Sequence, residues 1–189
     1  MTIKLIFKYY WPHFKKYAKS NIFIFVSYGL AVVGSGIVAP ILYKQIIDIV
    51  SSTDIPTTVS AMLIKTVLVL GLVLIFYNLF FRLADYAMTY AQSHMLKDVA
   101  DDAFQRIFRH SYDFFSNTFA GSLVAKTRRY VRSLEQIHDQ IVFSGWMNGL
   151  RLVFGIAVLI YFSFILGTIL LIWLVLYIGI SALFVKKKV

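Results

Sequence analysis

The sequence predicts an all-α polytopic membrane protein, with four transmembrane helices and long helical extensions on one side of the bilayer. Four observations predict it. Four apolar runs of spanning length recur along the 189 residues. At 59% hydrophobic, with mean hydropathy +0.74, the chain holds more Leu, Ile, Val and Phe than a soluble core of this length uses. A single long polar interval, 84–140, separates the second run from the third. Finally, 19 basic side chains against 9 acidic ones give +10, and they collect in three places that a four-span topology puts on one side. A soluble protein with that charge would suggest nucleic acid. Here the basic residues follow topology, which excludes nucleic acid as the partner.

The first twenty residues interleave Lys4, Lys8, Lys15, Lys16 and Lys19 with aromatic and aliphatic side chains. This composition suits a helix lying in the headgroup layer, an elbow over 1–20, with an ordinary basic flank as the plainer alternative. Pro12 is expected to break it from the membrane helix that follows. The first span runs over about 21–43, where Gly29, Gly34 and Gly36 permit close helix contact and Pro40 predicts a kink. Lys44 and Asp48, four apart, are expected to pair. The loop from Ser51 to Ser60 carries no Lys or Arg.

The second span, about 61–83, ends at Arg82 and Asp85, which are placed for an i,i+3 ion pair. Lys65, near its outer end, is placed to snorkel. No breaker follows before Gly121, so the helix is expected to continue beyond the lipid. Leu96, Val99, Ala100, Ala103, Phe104, Ile107 and Phe108 keep helical spacing along one face. An aromatic turn at Phe114–Gly121 then reverses the chain. A second amphipathic run leads without a breaker into the third span, about 141–163, where Gly145 and Gly149 predict tight helix packing. A short uncharged link, 164–168, precedes the fourth span, about 169–185, and Lys186-Lys187-Lys188 closes the chain. The last three lysines formally match a dilysine retrieval tail, but a basic inner flank is the plainer account. The positive-inside rule puts both termini and the 84–140 hairpin in the cytoplasm.

No catalytic constellation is present. His13, His94, His110 and His138 are scattered, and solvated surface histidines explain them better than a metal site. Asp98, Asp101 and Asp102 read as an acidic helix face. Gly121 to Thr127 lacks the spacing and the strand that a phosphate-binding loop needs. With no cysteine, disulfides are excluded. Arg151, with Asn148 three residues before it, is the ionisable residue deepest in an apolar run. It is a candidate for the pathway, or it snorkels to the surface.

Two spans joined by a tight loop, then two long amphipathic helices meeting at an aromatic turn, resemble the first half of the transmembrane domain of ABC exporters. The matching residues are Pro40-Ile-Leu-Tyr-Lys44-Gln45-Ile46-Ile47-Asp48 and, more specifically, Phe114-Phe115, Gly121, Leu123 and a basic Lys126. The family usually has an acidic residue shortly after that basic position, where this chain has Arg128-Arg129-Tyr130. The resemblance implies that Tyr112, Asp113, Phe114, Phe115 and Ser116 form a coupling helix docking on an ABC nucleotide-binding domain. The alternative is that these aromatics staple the two rods together.

It further implies transport by alternating access, with a second transmembrane half, homo- or heterodimeric, across the pathway. ATP and Mg²⁺ would be held by the nucleotide-binding domain, since these residues carry no ATP-hydrolysing machinery, metal site or cofactor of their own. The expected location is the inner or plasma membrane. Because the family's half-transporters continue through two further spans to an ATP-binding domain, the sequence reads as part of such a transporter. The rival from another class is a non-transporting four-span protein whose hairpin binds a signalling partner.

Overall fold

The computed structural model describes residues 3–51, 57–111, 114–115 and 120–188, and every described element is helical. Helix α1 is Ile3–Lys16 and α2 is Ala18–Val33. A π-helical segment, Gly34–Val38, joins α2 to α3, Ala39–Ser51. Helix α4, Thr57–Phe108, runs unbroken for 52 residues, about 78 Å at 1.5 Å per residue. After the turn, α5 is Ala120–Asp139. A second π-helical segment, Gln140–Met147, leads into α6, Asn148–Phe162, and α7 is Phe164–Lys188. Four stretches are long and apolar enough to cross a membrane: Ala18–Ser51, Ser60–Phe108, Gly121–Phe162 and Phe164–Ser181.

The local sequence explains where regularity fails. Pro40 has no N–H, and in an α-helix its ring would crowd the carbonyl of Gly36. The chain answers one turn earlier by widening to π geometry, with the Ala39 N–H bonding Gly34 O. Pro12, by contrast, is absorbed within α1. The break expected there falls instead at Tyr17. The buried Asn21 side chain donates to Phe14 O at 3.1 Å, and the Asn21 N–H reaches Tyr17 O at 3.0 Å. A carbonyl freed at the end of α1 thus regains a donor.

The described chain divides into two compact units. The first combines residues 1–29 with 79–147. In it, α1 and the start of α2 run antiparallel to α4. As the position falls from Tyr28 to Tyr17 to His13, its α4 partner rises from Asp85 to Asp98 to Asp102. Two helices of equal rise keep that register. Tyr10, Met95, Val99 and Leu134 form the core, with Phe14, Tyr17, Tyr130, Val131 and Ile137 packed around it. On α1, Tyr10 and Phe14 therefore meet protein, between α4 and α5, while Trp11 is half exposed.

The second unit combines residues 30–78 with 148–189. Its helices approach at small residues. A Cβ on Gly167 would lie 2.4 Å from Ile160 Cγ1 and 2.8 Å from the Ile160 backbone, so α6 and α7 can close about Ser163 only with glycine there. A Cβ on Gly34 would stand 2.9 Å from that of Tyr77. Gly145 and Gly149, expected to make the tight contact, do not. Nothing lies within 4 Å of a Cβ on Gly149, and Gly145 meets only the Gln140 carbonyl. The predicted link at 164–168 is already the first turn of α7. Lys44 pairs with Asp48 as the spacing predicts, and its ammonium lies 5.5 Å from the Phe162 ring centre.

Candidate functional site

Helix α4 continues past Arg82, where its apolar run ends, to Phe108 before the chain turns. Arg109 to Ser111 close α4 with His110 N–H on Ile107 O at 3.0 Å, and Phe114 N–H follows on Ser111 O at 3.1 Å. The His110 ring stacks on Phe114 with centroids 4.3 Å apart and planes at 25°. Phe115 meets Phe114 edge-on at 5.6 Å. The half-buried Phe114 is held in place, and Phe115 is left on the surface. Tyr112, Asp113 and Ser116 lie outside the described residues.

Sequence reasoning missed the aromatics beside this turn. Phe104 and Phe108 keep the spacing of the packed face, yet Phe104 is 41% and Phe108 74% exposed. Their rings stack at 6.5 Å. The face that does pack, through Met95 and Val99, ends before them. Two stacked aromatic rings left this bare beside His110 form an exposed apolar patch of the kind that marks an interaction surface.

The rods behind the turn are tied together by polar contacts. Asp98 accepts from Lys16 Nζ at 2.6 Å and from Tyr17 OH at 2.7 Å. These bonds, Lys16 first, hold the Asp98 carboxyl below the usual range and raise both donors. Gln92 Nε2 donates to Asp139 Oδ1 at 2.9 Å, joining α4 to α5. Contrary to the expectation of four surface histidines, His138 is fully buried, just before the apolar run begins at Ile141. Its Nδ1 lies 3.0 Å from Tyr10 OH, while its Nε2 has no hydrogen-bond partner among the described residues. Burial pushes the imidazole pKa down, opposed by Asp139, and pushes the Tyr10 phenol up. Asp85 does not pair with Arg82. It accepts from Tyr28 OH at 2.6 Å, and the Tyr28 ring meets Phe81 and Phe143 edge-on.

The described residues thus combine four apolar stretches of spanning length with paired helices α4 and α5 joined through aromatic residues. The family model for the ABC transporter transmembrane region matches residues 22–188. The chain belongs to that family. A search of curated proteins finds no match.

As an ABC transporter transmembrane region, the chain is a multi-pass membrane protein. Asn148 opens α6 and Arg151 follows on the same helix. Both are exposed, and neither has a hydrogen-bond partner among the described residues. Among those residues there is also no group of three His, Cys, Asp or Glu side chains placed to hold a metal. Gly121 to Thr127 lies within α5.

Proposed function

We propose that this chain is the membrane-spanning part of an ATP-driven ABC transporter, with the turn at residues 112–116 as the element that couples it to a nucleotide-binding domain. ATP and Mg²⁺ sit on that partner domain. Its closure pushes on Phe114, Phe115 and the bare Phe108, and α4 and α5 carry the displacement to the spans. Alternating access follows when a second transmembrane half, identical or homologous, completes the pathway. Asn148 and Arg151 face that pathway. The termini and hairpin lie in the cytoplasm, and the membrane is the inner or plasma membrane.

One observation carries this reading: exposed aromatics cluster at the end of two rods that are cemented to each other and to α1. Force applied at a tip is transmitted only if the lever does not bend. The Tyr10–Met95–Val99–Leu134 core and the Asp98 and Asp139 contacts supply that stiffness. Partner aromatics of this kind anchor in pockets, and a few of them dominate docking energy.

Phe115→Cys, co-expressed with an ABC nucleotide-binding domain carrying a cysteine in its docking groove, tests the proposal. The expected result is an oxidative crosslink whose yield changes with ATP. No crosslink, while a small maleimide still reaches Phe115→Cys, would contradict it.

A further inference from the structure

Helix α1 is fastened to the hairpin partly through a contact that tolerates no added proton. His138 of α5 is fully buried, with Nδ1 3.0 Å from the hydroxyl of the buried Tyr10. The Tyr10 and Phe14 rings, both on α1, have centroids 6.3 and 6.2 Å from that of the imidazole. Both pack with Met95, Val99 and Leu134. Nε2 is buried too and has no hydrogen-bond partner among the described residues. We propose that this contact is an acid-sensitive latch: protonation of His138 releases the Tyr10–Phe14 face of α1 while the hairpin stays folded.

A neutral imidazole keeps the Tyr10 bond in either tautomer, since a hydroxyl both donates and accepts. A protonated one has two N–H donors and a full charge. Tyr10 accepts from Nδ1, and the Nε2 proton is left buried without an acceptor. Burial accordingly lowers the His138 pKa, so the ring is neutral near pH 7 and the contact is lost as pH falls through the folded value. Because the two rings beside the imidazole belong to α1, moving that face aside lets water reach Nε2. The hairpin keeps the Gln92–Asp139 bond between α4 and α5.

The other titratable groups on these helices respond differently. Asp139, next to His138, favours the charged ring, but its Oδ1 already accepts from Gln92. Glu135, one turn before His138, lines a groove with Arg128 and Arg132. Burial raises the pKa of the Tyr10 phenol, which keeps its proton. On α4, Asp98 accepts from Lys16 and Tyr17 and stays ionised above about pH 4. His13 lies 3.5 Å from Asp102, so a proton there adds an ion pair between α1 and α4. The two histidines thus oppose each other: acid tightens α1 at His13 and loosens it at His138.

The test uses the whole chain in phosphatidylcholine nanodiscs, with nitroxides on Trp11→Cys of α1 and Ser133→Cys of α5. Both positions are exposed, and the chain has no cysteine of its own. Dipolar coupling between the labels is expected to fall reversibly, by about half or more, as pH drops from about 7.5 to about 5. His138→Gln, neutral at every pH and still able to accept from Tyr10, should keep the coupling throughout. His13→Gln should retain the fall and move it to higher pH. No fall in the parent, or an equal fall in parent and His138→Gln, would overturn the proposal. Loss of the fall in His13→Gln would make His13 the sensor and overturn it as well. If His138→Gln does not couple even at the higher pH, His138→Phe replaces it, with the same expected and overturning results. A fall accompanied by loss of helical circular dichroism would report unfolding of the whole unit, against a latch.

Discussion

The two units of this chain hold themselves together by different chemistry. In the unit of residues 1–29 and 79–147, side chains of every kind are buried: Tyr10, Met95 and Val99 in the core, with Asn21, Ser27, Thr127 and His138 among them. In the unit of residues 30–78 and 148–189, only Ala31, Val32, Ala39, Leu70 and Gly167 are buried among the described residues. Large apolar side chains such as Leu72, Ile75 and Trp173 stay exposed. Burying apolar area is favourable only when the alternative is water. Lipid tails are as apolar as leucine, so helices there gain by close backbone approach. Gly167 against Ile160 and Gly34 against Tyr77 are that second mode, and the Tyr10 cluster is the first.

The largest effect should come from removing the water-type core. Tyr10→Ala is expected to destabilise its unit by about 3–5 kcal/mol, because it opens a cavity and strips His138 Nδ1 of its partner. Thermal unfolding in detergent, followed by near-ultraviolet circular dichroism, reads it. Trp173→Ala in the same assay should change little, and an equal loss at both positions would break the comparison. Gly167→Ala comes next. It forces a methyl to 2.8 Å from the Ile160 backbone and should cost about 1–3 kcal/mol or separate α6 from α7. Gly149→Ala, into open space, should be neutral or stabilise by about 0.5–1 kcal/mol through helix propensity alone.

Tyr28→Phe leaves Asp85 without its donor and should cost about 1.5–3 kcal/mol. The smallest effect concerns pH. Burial lowers the His138 pKa below its unfolded value of about 6.5, so the fold favours the neutral ring. That contribution is fully present above pH 6.5 and is lost as pH falls below it towards the folded value. The unfolding midpoint should therefore drop between pH 7 and pH 5, and His138→Phe should flatten the drop. Asp98, whose pKa is also lowered, acts only below about pH 4 and leaves this window clear.

Much of the fold was legible because spans and long helices declare themselves locally. An apolar run from Ala61 to Phe81 and the absence of a breaker from Arg82 to Phe108 are enough for α4. Contacts between distant segments were not legible, since they depend on how three helices rotate against one another. The mix of lysines and aromatics in the first twenty residues fits a membrane surface and fits equally the groove between α4 and α5. The Gly145–Gly149 spacing signals close packing only where a neighbour exists, and the described chain puts none there. Gly167 escaped notice because it sat in an expected link. At the site, the Phe114-Phe115 turn was readable from its residues. The exposure of Phe108 was not, because helical spacing alone does not tell where a packed face ends.

The central claim is that the hairpin leaves the membrane on one side and carries its aromatic tip into water. Since the chain has no cysteine, single cysteines report without background. Phe115→Cys and Trp173→Cys, each labelled with a membrane-impermeant maleimide in right-side-out and inside-out vesicles, measure it directly. The account predicts that Phe115→Cys reacts in inside-out vesicles only and Trp173→Cys in neither. Labelling of Phe115→Cys from the outer face, or of Trp173→Cys from water, would contradict it.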